Sequence, residues 1–248
     1  MAAAIELSAP VVAHAQLPGE RYLLTLAAPD LARAAEPGQF AMLRCAAGWD
    51  PYLRRALPFL RTDGATVSFL FEPSDLGLSW LAGRALGASV SLLGPLGRGF
   101  ALAPTTRHLL LADVGGPVAP LLALVNSAAA RQLSVVLVIE GTAAAGLASI
   151  IPEAVELVTV TGGDKGALRE ALERLLPWAD QVAVAGPEEA VRGLASLDAA
   201  RRPALVQCYV AAPLVCGVGW CGSCLTETRR GTRRTCVRGP VFELNDLV

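Results

Sequence analysis

The sequence predicts an α+β protein of several domains: an antiparallel β-barrel, an α/β domain on a parallel sheet, and a small cysteine-bearing C-terminal segment. Three observations predict it. Residues 1–102 read as short strands separated by turn residues, residues 103–203 alternate strand and helix patterns, and four of the six cysteines crowd into residues 216–236, within the C-terminal segment of residues 204–248.

In the first part, Val11–Leu17 and Arg21–Leu26 can pair across Pro18-Gly19. Pro37-Gly38-Gln39 turns into a strand over Phe40–Arg44, and Thr66–Phe71 begins by alternating polar and apolar positions. Ser89–Leu93 ends at Gly94-Pro95, and one helical interval, residues 76–86, interrupts the strands. Short strands spaced by turn signals are the mark of an antiparallel barrel or sandwich.

The pattern then changes. His108–Ala112 is a continuous apolar run, expected of a strand covered on both faces. A helix over 118–131 follows, then strands Leu133–Ile139 and Val155–Val160, a helix over 165–176, a strand Gln181–Val184 and a helix over 187–196. Alternating units of this kind build an open, mostly parallel sheet.

Composition bounds the function. The chain has 248 residues, 53% hydrophobic and 17% charged, with ample material for two cores. A net charge of −1 gives no electrostatic reason for a nucleic-acid partner. The N-terminus lacks the basic and apolar regions of a signal peptide. The most apolar stretch, residues 108–130, is interrupted by Asp113, glycines, prolines and Asn126, whereas a membrane helix needs about 20 apolar residues. A cytoplasmic protein with no membrane span is expected.

Cys216, Cys221, Cys224 and Cys236 are spaced C-x4-C-x2-C-x11-C. The first two intervals are the plant-ferredoxin pattern for a [2Fe–2S] cluster. Gly217, Gly219 and Gly222 allow the loop to bring backbone N–H groups to the sulfurs and to adopt positive φ. A zinc site is the rival reading, but zinc modules present two short knuckles, and here three ligands share one loop. A disulfide framework fits a reducing compartment less well. Cys208 lies in an apolar run and Cys45 is expected in a barrel strand, and both read as buried hydrophobes. Trp220 either packs, shields the cluster or touches a partner. Arg229, Arg230, Arg233 and Arg234 read as a solvated hairpin face that could also meet a partner. The two histidines, His14 and His108, suggest no catalytic constellation.

Cys216-Gly-Val-Gly-Trp-Cys221-Gly-Ser-Cys224, with Cys236-Val-Arg-Gly-Pro-Val-Phe242, resembles the electron-transfer subunit of the B type of dihydroorotate dehydrogenase, in the ferredoxin reductase superfamily. Pro37-Gly-Gln-Phe40, Leu93-Gly-Pro-Leu-Gly97, Val118-Ala-Pro-Leu121 and Ala185-Gly-Pro187 match in the same order across nearly the whole chain. The resemblance implies FAD between a barrel of residues 1–102 and an NAD-binding-like domain of residues 103–203. It implies NADH as electron donor and the cluster of residues 204–248 as relay. Electrons would pass to an FMN-containing catalytic subunit of pyrimidine biosynthesis, in a heterotetramer.

The resemblance also assigns flavin-site residues: Arg55, Ala56, Leu57 and Pro58 at the pyrophosphate and N5 motif, Leu70, Phe71 and Glu72 along the cofactor, and Gly77 and Leu78 at a second phosphate turn. Arg55 supplies a charge that phosphate favours, but Pro58 and Leu78 stand where the family carries hydroxyls. Asp113 and Val114 replace glycines of the nucleotide turn, and Ala185 replaces a cysteine. Residues 161–166 could hold a ribose or phosphate, or be only a turn. The alternative function is therefore a cluster-binding carrier or docking subunit of another oxidoreductase, with degraded flavin and NAD sites.

Overall fold

The computed structural model describes residues 4–147, 149–161, 163–197, 200 and 202–247. Its first part comprises β1 (Ile5–Leu17), β2 (Arg21–Ala27), α1 (Pro29–Ala34), β3 (Phe40–Leu43), β4 (Arg55–Pro58), β5 (Arg61–Thr62), β6 (Thr66–Phe71), α2 (Leu76–Ala82) and β7 (Ser89–Leu96). The strands form one antiparallel sheet in the order β4-β3-β7-β1-β2-β6-β5. β1 pairs with β7 through Ile5–Pro10 and with β2 through Val11–Leu17, with a register shift between Val11 and Ala13 where it changes partners. Such a shift bends a strand and tightens its twist. β4 and β5 occupy opposite edges yet follow each other directly in the chain, so the sheet curls shut through Phe59 and Leu60. The barrel expected from the turn spacing is thus present, filled by Leu24, Leu26, Leu43, Phe59, Phe69 and Leu92.

Three barrel boundaries differ clearly from expectation. β1 begins at Ile5 and not at Val11, because Ile5–Pro10 pair with β7. β7 does not stop at Gly94-Pro95 but runs to Leu96. Its pairing with β3 shifts register between Phe40 and Met42, opposite Gly94-Pro95, and a proline is tolerated at such an irregularity because no ladder donor is needed there. The helix expected to reach residue 86 ends at Ala82, where Gly83 caps it through its N–H. The short helix α1 and the strands β4 and β5 carry no pattern long enough to be read from sequence.

The second part comprises β8 (His108–Asp113), α3 (Ala119–Ala130), β9 (Ser134–Glu140), α4 (Gly141–Ala145), β10 (Val155–Val160), α5 (Lys165–Leu175), β11 (Gln181–Pro187), α6 (Glu188–Gly193) and β12 (Leu205–Ala211). The chain ends through β13 (Leu225–Thr226), β14 (Arg233–Arg234), α7 (Thr235–Arg238), β15 (Val241–Glu243) and α8 (Leu244–Leu247). The sheet order is β10-β9-β8-β11-β12-β15, parallel except for the last strand. β8 shows why its run is wholly apolar: Leu109 and Leu111 pack under α3, while Leu110 and Ala112 pack on the opposite face with residues of α5, α6 and α8. The α3 side also contains Leu60, Leu70 and Phe100 of the barrel, so one core joins the two parts.

The strand order reverses between β8 and β11, and in such sheets ligands bind outside the carboxyl ends at that point. There Gly116 and Gly186 touch: a Cβ on Gly116 would lie 2.6 Å from the Gly186 backbone. Backbone cannot step aside, so Gly116→Ala should cost about 1–3 kcal/mol. Gly193→Ala, at the end of α6 with open space around it, should be neutral or stabilising by up to about 1 kcal/mol. Urea denaturation of both variants checks the contrast, and equal midpoints would contradict the packing.

Candidate cofactor site

β12 leaves the sheet at Ala211 and β15 returns to it, pairing Tyr209 with Val241 and Cys208 with Phe242. The cysteine loop lies between these strands. Gly217, Gly219 and Gly222 all have positive φ, 72°, 81° and 72°, as the sequence predicts. Gly217 is also crowded: a Cβ would meet Met42 at 2.7 Å, so the loop lies directly on the barrel.

The turn aims donors at sulfur. The N–H groups of Trp220 and Cys221 approach Cys216 Sγ at 3.3 and 3.4 Å. Burial pushes the Cys216 thiol up, but the N–H groups of Cys221, Val218 and Trp220 outweigh it and bring it down to about 6. The hairpin β13–β14 brings the fourth cysteine back: Thr235 N–H donates to Cys224 O at 2.7 Å, and the buried hydroxyls of Thr226 and Thr235 meet at 2.8 Å. Thr226 also donates to Glu188 on α6 at 3.1 Å, tying the hairpin to the α/β part. Burial, then the neighbouring Cys224 thiol, push Cys236 up to about 12.

The thiols fall into two interacting pairs, Cys216 with Cys221 and Cys224 with Cys236, with Cys216 in electrostatic range of Cys236. Among the described residues no three His, Cys, Asp or Glu side chains converge on one metal-sized point. Two cysteine pairs beside a turn of N–H groups suit a two-iron cluster, which takes two ligands at each iron. Cys45 and Cys208 are buried, and burial pushes their thiols to about 11 and about 12, inert positions. His108 pairs with Asp180 at 3.2 Å and packs on Trp178, a structural role.

A cleft of about 490 Å³ opens at the carboxyl ends of β8 and β12, between barrel and sheet. Ala56, Leu57, Pro58, Leu70, Phe71, Glu72 and Leu78 all line it. Arg55 and Gly77 stand beside it, in contact with each other. Arg55 Nε lies 2.8 Å from Asp75, whose other oxygen accepts from the N–H groups of Gly77 and Leu78 at 2.7 and 3.0 Å. This anion-holding cradle therefore grips a carboxylate of the chain itself. Sequence reasoning passed over Asp75, although an Asp just before a helical run is a capping signal. It also passed over Arg21, which lines the cleft, pairs with Glu72 at 3.0 Å and donates to Ala143 O at 2.9 Å, spanning barrel and α4. No sequence pattern marks that contact.

The nucleotide turn shows the same substitution of a carboxylate for an external anion. Asp113 accepts from Gly115 and Gly116 at 3.0 and 2.8 Å. In the 161–166 turn, Gly163 N–H donates to Glu140 at 3.0 Å, and Asp164 caps α5; Gly162 lies outside the described residues. A flavin fits the cleft in kind, since Leu57, Pro58, Leu70, Phe71 and Leu78 offer apolar surface to a ring and Arg55 with two N–H groups stands beside it; its phosphates would have to displace Asp75.

The fold agrees with that of solved electron-transfer oxidoreductases. An NADH-dependent reduced ferredoxin–NADP oxidoreductase aligns over 97% of this chain and 89% of its own, with a TM-score of 0.79 at 18% identity. Phthalate dioxygenase reductase aligns over 94% of both chains with a TM-score of 0.62 at 13% identity. A ferredoxin reductase-like fold carrying a C-terminal cysteine loop is thus the class that fold and site define. Residues 212–248 match the iron–sulfur cluster binding domain of dihydroorotate dehydrogenase B. Over 253 residues the chain is 30% identical to the dihydroorotate dehydrogenase B (NAD(+)) electron transfer subunit of Desulforamulus reducens, covering 94% of this chain and 95% of that one. The Geobacillus kaustophilus subunit is 30% identical, with 96% of each covered. The chain belongs to the family of dihydroorotate dehydrogenase B electron transfer subunits.

Burial raises the Asp113 pKa against the opposing pull of the Gly116 and Gly115 N–H groups. The folded protein therefore holds this proton to higher pH than the unfolded chain does. That stability is full below the unfolded value and lost as pH rises through the folded one. Asp113→Asn keeps an acceptor and carries no charge, so it should be more stable than wild type at neutral pH, with the gap closing in acid. Denaturation midpoints across pH check this; a gap that widens in acid would contradict it.

Proposed function

We propose that this chain takes electrons from NADH through FAD and a [2Fe–2S] cluster, and delivers them to an FMN-containing dihydroorotate dehydrogenase catalytic subunit. Residues 1–102 and 103–203 contribute the barrel and sheet sides of the flavin and nucleotide cleft, and residues 204–248 complete its wall through Tyr209, Ala211, Ala212 and Leu214 and carry the cluster on Cys216, Cys221, Cys224 and Cys236. Two copies of each subunit would form a cytoplasmic heterotetramer; no described helix is long and apolar enough to cross a membrane.

One observation carries the reading. Ala56, Ala212 and Leu214 line the cleft and also pack in the apolar bed of Phe40, Met42 and Leu96 that holds Cys224 and Cys236. A single layer of side chains thus separates the flavin position from the cluster position. When bound, the flavin would supply the step from a two-electron hydride to single electrons that a cluster can carry. The chain's own part is to hold the ring against Leu57, Pro58, Leu70 and Phe71, to offer Arg55 to the phosphates, and to keep water out of the shared wall.

The exit side is marked by exposed apolar groups around Cys216. Trp49 and Tyr52 stack at 5.9 Å, both more than 70% exposed, beside a hollow that Cys216 also lines. Trp220, 90% exposed, follows in the cysteine loop. Exposed aromatic clusters of this kind are typical interface anchors. Trp49→Ala and Trp220→Ala should each weaken association with the catalytic subunit by about tenfold or more, leaving iron content unchanged. Calorimetry of subunit association checks this.

Replacing any of the four loop cysteines by Ser should abolish bound iron and acid-labile sulfide, whereas Cys45→Ala and Cys208→Ala should retain them. A second reading, a cluster carrier without flavin chemistry, is favoured by Asp75 and Asp113, which already occupy the N–H groups that phosphates would use. An absorbance spectrum of anaerobically purified protein decides between them. Flavin and cluster bands that bleach with NADH support the first reading. Cluster bands alone, unchanged by NADH, remove it.

A further inference from the structure

On another face, the barrel, the sheet edge and the cysteine hairpin enclose a second hollow of about 380 Å³ that shares no lining residue with the flavin cleft. Arg98 enters it from the loop after β7, Arg230 and Arg233 from the β13–β14 hairpin, and Arg238 from the end of α7. Glu243 and Asp246 are the two carboxylates on its wall. Four cations therefore face two anions in a chain whose net charge is −1, so the excess is local and not a reflection of composition.

Of the four arginines, Arg233 spends one guanidinium nitrogen on Arg230 O at 2.6 Å, and the others are more loosely engaged. Arg230 reaches Asp246 only at 3.6 Å, with its side chain 77% exposed, a pair worth little in water. Arg98 and Arg238 make no ion pair among the described residues. They are also held in position by the backbone: Arg98 N–H donates to Gly239 O at 2.5 Å, and Arg98 bridges Pro240, next to Arg238. Arginines on a flat face serve solubility or a protein partner; here three separate segments converge on one concavity, within the size range of small-ligand sites. Guanidinium forks match phosphate oxygens two by two.

We propose that this hollow is an anion site for a small molecule bearing at least two phosphate charges, such as a pyrophosphate group, held chiefly by Arg98 and Arg238 with Arg230 and Arg233 closing over it. The site is independent of electron transfer through the cleft, and its floor is β15, the strand that anchors the cysteine loop.

Calorimetric titration of the cofactor-loaded protein at constant ionic strength tests it, with pyrophosphate, inorganic phosphate, ATP and sulfate as probes. Pyrophosphate should bind one to one and more tightly than sulfate. The double variant Arg98→Ser/Arg238→Ser should weaken it by at least about tenfold, as the loss of charge-assisted hydrogen bonds requires. Arg98→Lys/Arg238→Lys, which keeps charge but not the fork, should fall between. ATP binding more tightly than pyrophosphate identifies a nucleotide as the ligand; equal binding identifies the phosphate group alone. Arg55→Ser should bind pyrophosphate as wild type does. Binding no tighter than sulfate, or binding that survives the double variant, or binding lost in Arg55→Ser, would overturn the proposal.

Discussion

The site depends on one closure: the antiparallel pairing of β12 with β15. Because Tyr209 and Val241 are neighbours in the sheet, everything between them must form a loop whose two ends are fixed. The loop cannot drift from the barrel, since Gly217 lies against Met42 and Arg98 N–H grips Gly239 O. Three positive-φ glycines then let the first half turn tightly enough to aim N–H groups at Cys216. The hairpin accounts for the eleven residues between Cys224 and Cys236: it carries the chain out and back, so distance in sequence becomes contact in space.

That closure also decides where electrons can pass. β12 supplies Tyr209 and Ala211 to the cleft wall, and Ala212 and Leu214 follow as the chain turns into the loop. The same few residues are thus wall for one cofactor position and bed for the other. Small side chains at Ala56 and Ala212 keep that partition thin. The buried hydrogen bonds of Thr226, Thr235 and Glu188 hold the hairpin against α6, so the partition is rigid on the cluster side as well.

Much of this was legible in the sequence, and for identifiable reasons. The barrel strands and the buried run of β8 announce themselves by turn residues and by apolar continuity. The cysteine spacing and its glycines name the loop's chemistry because both follow from local geometry. Seven of the nine residues assigned to the flavin site do line the cleft, through the resemblance and not through any pattern of their own. What stayed hidden was tertiary. β4 and β5 are too short to show a period, Arg21 acts only because α4 comes to meet it, and the role of Asp75 depends on where Arg55 ends up. The hairpin arginines read as a solvated face because Arg98, 132 residues before Arg230, is brought beside them only by the fold.

The departures from the family pattern then acquire a physical order. Leu57, Leu70, Phe71, Cys224 and Cys236 are buried, and replacing a buried side chain costs stability whatever the cofactor does. Asp75 and Asp113 sit instead at turns, where a carboxylate satisfies N–H groups that would otherwise need an external anion. A turn that supplies its own anion folds without a ligand but holds the ligand's phosphates less readily. On the proposed reading, the wall between the cofactor positions is built from buried side chains, while the turns proposed for the nucleotide tails carry their own carboxylates. Since wall and anchors are built from different elements, one can change while the other stays, and the relay is the part that the fold protects.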